Sequence, residues 1–315
     1  MANLYLLVGW RKSLVFNLML YSYKKHNLFA RIIHGLCNRI QSDNETDTPV
    51  LSCLNHQVFV SPFSHKLPFY QKEFPLYDRQ LSKLCFYMKE KLGKSLNIID
   101  IGANVGDTVV NIGLKDAFYL CIEGDNSFSK YIKYNLRHYN YVLENVFLSD
   151  TDEITSYTIN SSNGTGHLVQ SHSGDCNIPL LTLDNLFQRK YSQYPVDLLK
   201  IDTDGFDFKV IRGAKQLVQK CHPLIFFEWV KSFLEDQGED PLSIFPFLYN
   251  CGYSRLILFD NFGNPIDVVL MDDDKRIRDF INNTSDNGPI YYYDVLAVSD
   301  KSVFEAEELF SLFGR

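Results

Sequence analysis

The sequence predicts an α/β protein built on a mostly parallel sheet, preceded by a helical extension. From residue 97 onward, short apolar runs alternate with polar or helical spans, as they do where crossover helices join parallel strands. The last two apolar runs are separated by a polar loop, which favours an antiparallel hairpin at the edge of the sheet. The 315 residues are 45% hydrophobic, so the chain has enough apolar material for a large core.

Residues 1–42 form the extension, and their pattern predicts helix. Apolar residues at 14, 16, 18, 20 and 21 lie between basic pairs, and those at 29, 32, 33 and 36 repeat every three or four positions. The segment holds six of the 31 basic side chains and none of the 38 acidic ones. A basic helix with Trp10 at its flank could contact a membrane surface, or its apolar face could pack on the protein's own core or a second subunit.

Three further segments follow. Residues 43–95 are expected to form a small cap or substrate region, residues 96–300 the main domain, and residues 301–315 a closing helix. The strands of the main domain are predicted at 97–101, 118–123, 141–148, 196–202, 223–229, 254–260 and 290–298. Helices are predicted at 78–91, 126–139, 182–190, 207–221, 240–250 and 302–313, and the loops 50–77, 160–178 and 261–289 are expected to shape the binding site.

Composition excludes several classes of protein. The seven cysteines are odd in number and form no CxxC motif, so neither a disulfide framework nor a zinc knuckle is predicted. The acidic remainder of the chain argues against nucleic acid as a partner. The start lacks the order of a signal peptide, and its longest uncharged run is too short to span a bilayer. These features favour a cytoplasmic protein, with peripheral membrane contact through residues 1–42 as the alternative.

The strongest motif is NIIDIGANVGDT at residues 97–108. A buried strand that ends in Asp100, followed by Gly102 and Gly106, is typical of a turn where the backbone approaches a nucleotide-like ligand. A dinucleotide fingerprint would need glycine where Asn104 and Asp107 stand, which disfavours NAD. Asp100 would repel a phosphate but attract an ammonium or a sulfonium group.

The next two predicted strands add polar groups at the same edge. Glu123 ends the second strand, where a carboxylate can bind both hydroxyls of a ribose. Ser149 and Asp150 end the third strand, where they could meet an adenine edge, although Ser-Asp is also common in turns.

The fourth predicted strand ends in a cluster of acids. Asp202, Asp204 and Asp207 follow Lys200 within seven residues. Clustered carboxylates raise one another's pKa, so one of them could accept a proton from a hydroxyl. Asp204 and Asp207 could instead begin the next helix, the reading we adopt for Asp207.

Taken together, these motifs resemble the FkbM family of S-adenosylmethionine-dependent methyltransferases over roughly residues 78–298. The resemblance implies a class I methyltransferase fold, a Rossmann-like seven-stranded sheet whose last strand is antiparallel, and O-methylation of a hydroxyl of a sugar, glycan, glycolipid or natural product. It implies that S-adenosylmethionine is the cofactor and that Asp202 lies beside the transferred methyl group. It also assigns the methionine part to Asp100, Gly102, Asn104 and Gly106, the ribose to Glu123 and the adenine to Asp150.

Other side chains complete the candidate site. Glu228, at the end of the fifth strand, and His167, after an NGTG turn, are further candidate bases beside Asp202 and Asp204. His65, Tyr70 and Lys200 are candidate substrate-binding residues. A divalent ion at Asp202 is conceivable, but no motif requires one.

Two other functions stay open on sequence grounds. The chain could be a binding module or scaffold that keeps the nucleotide fold without turnover at a membrane surface, although the set Asp100, Glu123 and Asp202 disfavours this. A nucleotide-dependent oxidoreductase conflicts with Asn104 and Asp107. A homo-oligomer is compatible with the sequence, which does not identify the acceptor.

Overall fold

The computed structural model of the chain describes residues 10–23, 48–162, 165–170, 177–285 and 288–314. Among these residues the main sheet has eight strands, which are β3 Asn97–Ile101, β4 Phe118–Ile122, β5 Asn140–Glu144, β10 Leu198–Ile201, β11 Leu224–Trp229, β12 Tyr253–Asp260, β13 Pro265–Leu270 and β14 Tyr293–Ser299. Their order across the sheet is β13-β12-β14-β11-β10-β3-β4-β5.

The sheet is mostly parallel. The neighbours β5, β4, β3, β10 and β11 pair in parallel, whereas β14 runs antiparallel to both β11 and β12. This confirms the predicted α/β class and its antiparallel last strand. The predicted number of strands differs, because the main sheet has eight strands among the described residues and not seven. The expected edge hairpin is wrong in one respect, because β14 lies inside the sheet between β11 and β12. The edge strand on this side of the sheet is β13, which lies in a segment that the sequence predicted as a loop.

A second, four-stranded sheet has the order β6-β9-β7-β8, with β6 Phe147–Leu148, β7 Glu153–Ser162, β8 Thr165–Gln170 and β9 Asn177–Leu181. The sequence predicted one strand over residues 141–148, but β5 and β6 belong to different sheets. The predicted loop 160–178 contains β8 and the ends of β7 and β9. Ser149 and Asp150 are therefore positioned by the small sheet and not by the third strand of the main one.

Helices cover both faces of the main sheet, which separates two large clusters of buried apolar side chains. The helices after the first are α2 Leu67–Glu73, α3 Gln80–Leu92, α4 Asp107–Ile112, α5 Ser129–Asn135, α6 Leu183–Lys190, α7 Asp207–Arg212, α8 Lys215–Cys221, α9 Lys231–Asp236, α10 Ile244–Asn250, α11 Asp274–Asn282 and α12 Ala306–Phe313. The predicted helix 207–221 is divided into α7 and α8, and α11 lies in the segment 261–289 that the sequence predicted as a loop.

The first helix, α1 Trp10–Ser22, packs on the hairpin of β1 Pro49–Leu54 and β2 Gln57–Pro62. The Asn17 amide donates a hydrogen bond to the carbonyl oxygen of Leu51 at 2.7 Å, and the Leu51 N–H donates one to the Ser13 hydroxyl at 3.0 Å. The apolar side of α1 is buried in a cluster of Val15, Phe16, Met19, Val50, Phe63 and Phe69. Residues 10–23 therefore dock on the protein itself.

The other predicted helical repeat, at residues 29–36, lies outside the described residues. Within the part of the chain that the structure describes, no helix combines the length and the apolarity needed to cross a membrane.

The docking of α1 can be tested with Phe16→Ala. Phe16 is fully buried, and its ring makes edge contacts with Phe63 and Phe69 at centroid distances of 5.6 and 5.1 Å. Removing a buried phenylalanine side chain costs about 3–5 kcal/mol of unfolding free energy. Urea denaturation should report a loss of this size, while Leu14→Ala, at a residue 54% exposed on the same helix, should change little. Equal effects of the two substitutions would contradict this packing.

Candidate functional site

A cavity of about 670 Å³ opens at the carboxyl ends of the parallel strands. Residues that follow β3, β4 and β10 form its floor, and residues 65–78 of the N-terminal region line it as well. Of the predicted site residues, the cavity lining includes Gly102, Asn104, Glu123, Lys200, Asp202, Asp204, Glu228, His65 and Tyr70.

The turn after β3 approaches the end of β10 very closely. Gly102 has φ +76°, and its N–H donates a hydrogen bond to the carbonyl oxygen of Ile122 at 3.0 Å. A Cβ atom at Gly102 would overlap the carbonyl oxygen of Asp202. Only glycine fits at this position, both for its left-handed backbone and for the space it leaves. The turn therefore lies directly on the backbone of Asp202.

Glu123 is fixed by the same turn. One of its carboxylate oxygens accepts a hydrogen bond from the Asn104 N–H at 2.8 Å, and the other accepts one from the Asp125 N–H at 2.8 Å. Burial raises the pKa of Glu123 to about 7, even though these two hydrogen bonds favour the ionised form. A carboxylate has about four acceptor positions, so two stay available for hydroxyl donors in the cavity.

Lys200 carries the buried positive charge beneath the cavity. Its Nζ lies 3.3 Å from the Asp100 carboxyl group, 3.2 Å from that of Asp202, and 3.4 Å from the carbonyl oxygen of Gly102, to which it donates a hydrogen bond. Burial lowers the pKa of Lys200, but the carboxylates of Asp202 and Asp100 outweigh burial and hold this pKa well above its ordinary value. Burial raises the pKa of Asp100 to about 6, and Lys200 opposes that rise.

The acidic segment after β10 is divided between the cavity and helix α7. Asp202 and Asp204 line the cavity, and Asp204 has φ +50°. Asp207, 1% exposed, is the first residue of α7, and its carboxyl group accepts a hydrogen bond from the Thr203 hydroxyl at 3.0 Å. Burial, followed by the charge of Asp202, raises the pKa of Asp207 to about 7. Asp207 thus holds the turn at the start of the helix.

Sequence reasoning missed one wall of the cavity. Glu228 on β11 is directly opposite Asp294 on the antiparallel strand β14, and both line the cavity together with Asp78. Burial raises the pKa of Asp78 to about 7. Tyr77 and Tyr292 also line the cavity, and burial raises the pKa of both phenol groups well above the ordinary value. The sequence placed the last strand at an edge, so nothing in it brought Asp294 next to Glu228.

On the cap side, His65 is buried, and its Nε2 lies 3.5 Å from the Asp107 carboxyl group. Burial lowers the pKa of this histidine. Tyr70 is more exposed, at 46%, and its ring is 5.4 Å from that of Tyr77.

Several predicted residues lie outside the cavity lining. Asp100 and Gly106 support it from below, and a Cβ at Gly106 would contact the Leu136 side chain at 3.1 Å. Asp150 is held by Arg212, whose guanidinium donates hydrogen bonds to it at 3.0 and 2.9 Å. Ser149, also outside the lining, has its backbone against Gly213.

His167 lies on β8, and its side chain is outside the described part of the structure. The described residues contain no group of His, Cys, Asp and Glu side chains that could hold a metal ion.

Residues 100–255 match the family model "Methyltransferase FkbM domain". The solved structures that resemble the chain include a methyltransferase FkbM from Methylobacillus flagellatus KT, with 15% identity and a TM-score of 0.38. That match covers 82% of this chain but only 58% of the other. An O-methyltransferase from Bacillus cereus in complex with SAH has 14% identity and a TM-score of 0.39, with 70% of this chain and 80% of that chain covered. No curated protein sequence matches the chain.

The close approach at Gly102 leads to a first prediction for the site. Gly102→Ala should destabilise the protein by more than 3 kcal/mol, because the added methyl group collides with the backbone of Asp202 and forces the turn to move. Gly93→Ala is the matched control. Gly93 also has positive φ, but a Cβ there meets nothing within 4 Å, so only about 1 kcal/mol of backbone strain is expected. Urea denaturation of both variants measures the difference, and equal losses would refute the collision.

Lys200→Met tests the buried charge. At pH 8 the ionised Asp100 would lose the cation that compensates it, at a cost of about 3–5 kcal/mol. Asp100 has a pKa of about 6 in the folded state, above its ordinary value, so at pH 5 it already holds a proton and the loss should be smaller. Urea denaturation at both pH values measures the two costs.

Lys89→Met is the control, because Lys89 pairs with Asp116 at the surface and should matter by less than about 1 kcal/mol at either pH. If the cost of Lys200→Met did not depend on pH, Lys200 would not be compensating Asp100.

Proposed function

We propose that this chain is an S-adenosylmethionine-dependent O-methyltransferase, because residues 100–255 match the family model of the FkbM methyltransferase domain. Its acceptor would be a hydroxyl group of a sugar, glycan, glycolipid or natural product. The observation that carries the proposal is the carboxylate of Glu123, which two backbone amides hold at the rim of a cavity that also contains carboxylates able to receive a proton.

The residues on the cofactor side fit the chemical groups of S-adenosylmethionine. Glu123 offers two acceptor positions to a ribose diol, and the turn at Gly102 brings backbone close enough to contact the methionine part. Phe147 lines the cavity against Gly124, where a flat ring can contact an adenine. Asp150 would support the adenine pocket from behind, through its pairing with Arg212.

When bound, S-adenosylmethionine supplies a methyl group that its sulfonium has already activated. The protein's task is then to hold the acceptor hydroxyl in line and to take its proton. Asp202 is the first candidate for proton acceptor, since it lines the cavity, its side chain is 41% exposed and Lys200 fixes its position. Glu228 and Asp204 line the same cavity and come next, and His167 is the remaining candidate.

The cap supplies the acceptor side. His65, Tyr70 and Lys200 would contact the acceptor, and the residues around His65 would exclude water from the reacting groups.

We place the enzyme in the cytoplasm. Contact with a membrane would have to come from parts of residues 1–42 other than the face of α1 that packs on β1.

Binding of S-adenosylhomocysteine, measured by isothermal titration calorimetry, is the first test of this function. Glu123→Gln should weaken binding at least tenfold. The introduced amide keeps the shape of the carboxylate, but its NH₂ group cannot accept a hydrogen bond. It must therefore face one of the two backbone N–H groups that donate to the carboxylate in the wild type. Glu90→Gln, at an exposed acid outside the cavity, is the control and should bind like the wild type. If the wild type fails to bind, or Glu123→Gln binds equally well, the proposal is wrong.

The same titration has a predicted pH dependence. Glu123 has a pKa of about 7, and its ionised form accepts the ribose hydroxyls, so affinity should increase as the pH rises through 7. Between pH 8 and pH 6 the wild type should lose about tenfold in affinity. In Glu123→Gln this dependence should be absent, and a flat profile for the wild type would exclude Glu123 as the ribose ligand.

A further inference from the structure

The cavity has a second end that the cofactor residues do not occupy. In the sheet, β4, which precedes Glu123, is separated from β11 by β3 and β10. Three strand spacings correspond to about 14 Å. Glu228 on β11 and Asp294 on β14 therefore lie at the far end, which we call the distal end and define by Asp78, Glu228 and Asp294.

The distal end holds more carboxyl groups than cations. Its three carboxyl groups line the cavity, where the only lysines among the described lining residues are Lys66 and Lys200. Lys200 already has the carboxyl groups of Asp100 and Asp202 at 3.3 and 3.2 Å. The remaining lysine of the described lining, Lys66, supplies one positive charge and cannot balance all three acids.

Glu228 and Asp294 form a fixed pair within this end. As directly opposed residues on antiparallel strands they have Cβ atoms about 5 Å apart and point to the same face of the sheet. Asp294 is 7% exposed, and its carboxyl group accepts a hydrogen bond from the Gln80 amide at 2.9 Å. Burial, and then the neighbouring carboxylates, raise the pKa of both Glu228 and Asp294 well above the ordinary range. Each acid would ionise more readily beside a cation.

Two tyrosines lie close to the acids. Tyr77 and Tyr292 line the cavity. Burial raises the pKa of both phenol groups well above the ordinary value, and the acids of the distal end raise it further. Carboxylates combined with the faces of tyrosine rings are the groups that bind ammonium ions in proteins.

A separate observation indicates that this part of the cavity receives a polar ligand. Asn111, 2% exposed, lies in the cavity wall, and its amide Nδ2 has no hydrogen-bond partner among the described residues. Its Oδ1 accepts a hydrogen bond from the Gln71 amide at 3.2 Å. The same amide donates to the carbonyl oxygen of Tyr77 at 3.3 Å, so Asn111 lies near the residue that precedes Asp78. A buried amide nitrogen without an acceptor costs about 1–3 kcal/mol, which a bound hydroxyl group would recover.

We propose that the acceptor of this enzyme carries a protonated amine beside its hydroxyl groups, and that Asp78, Glu228 and Asp294 bind that amine. The ligand class is a hydroxylated amine, of which an amino sugar is the simplest form. This inference rests on the proposed function and adds the charge of its substrate. An acceptor bearing a carboxylate or phosphate at this end would face three acids.

Three sugars with the same pyranose ring test the proposal: glucosamine, with an amine at C2, glucose, and glucuronate, with a carboxylate at C6. They are titrated by ligand-observed NMR against the full chain saturated with S-adenosylhomocysteine, at pH 7 and up to about 10 mM. Glucosamine should bind at least tenfold more tightly than glucose, and glucuronate more weakly than glucose. In Glu228→Gln and in Asp294→Asn, each of which removes one charge and keeps the shape, the advantage of glucosamine should shrink at least threefold.

Asp272→Asn is the matched control, because Asp272 is an exposed acid outside the cavity, and it should keep the wild-type order of the three sugars. The comparison of sugars on the wild type stands even if a variant misfolds. The inference would be overturned if glucosamine and glucose bound equally well, or if no sugar bound. It would also be overturned if both variants kept the full advantage of glucosamine over glucose.

Failure of S-adenosylhomocysteine to bind would instead contradict the proposed function. The three sugars would then be titrated on the unloaded protein, where the same criteria apply to the distal end.

Discussion

The site depends on the contact between two neighbouring parallel strands, β3 and β10, at their carboxyl ends. Asp100 and Lys200 are register partners across these strands, and Lys200 reaches from there to Asp202 and to the carbonyl oxygen of Gly102. One ammonium group thus joins the end of each strand to the turn that follows β3. Because Gly102 also lies against the backbone of Asp202, the turn after β3 and the acidic segment after β10 are held by the same few atoms.

This arrangement concentrates acids in a buried site, where the ionised form of a carboxyl group is disfavoured. Burial raises the pKa of Asp78, Glu123 and Asp207 to about 7 and that of Asp100 to about 6. Carboxyl groups in this range exchange protons near neutral pH, which suits a site that must accept a proton or bind a cation. Their burial costs stability, and the two large apolar clusters on either side of the sheet offset that cost.

Much of the fold and the turn that follows β3 could be predicted because the determining signals are local. A buried parallel strand is a continuous apolar run, and the turn after β3 needs glycine at residue 102 for its backbone angle and for space. Strand β13 and the strands of the small sheet were missed because their apolar runs are short and interrupted by polar residues or proline. A signal for β13 was present, since Gly263, with φ +83°, lies in a short turn between two strand-like runs.

The sequence by itself determined the alternation of parallel strands and helices in the main sheet, the glycine turn and the acids at the strand ends, because backbone sterics and apolar periodicity act between near neighbours. The tertiary structure decided which of these acids meet. Strand β14 enters the sheet beside β11, and only this long-range pairing brings Asp294 opposite Glu228. It also decided that Asp150 pairs with Arg212 at the back of the small sheet and that α1 covers the hairpin β1–β2. Contacts between residues far apart in the chain depend on how whole elements pack, which no local pattern records.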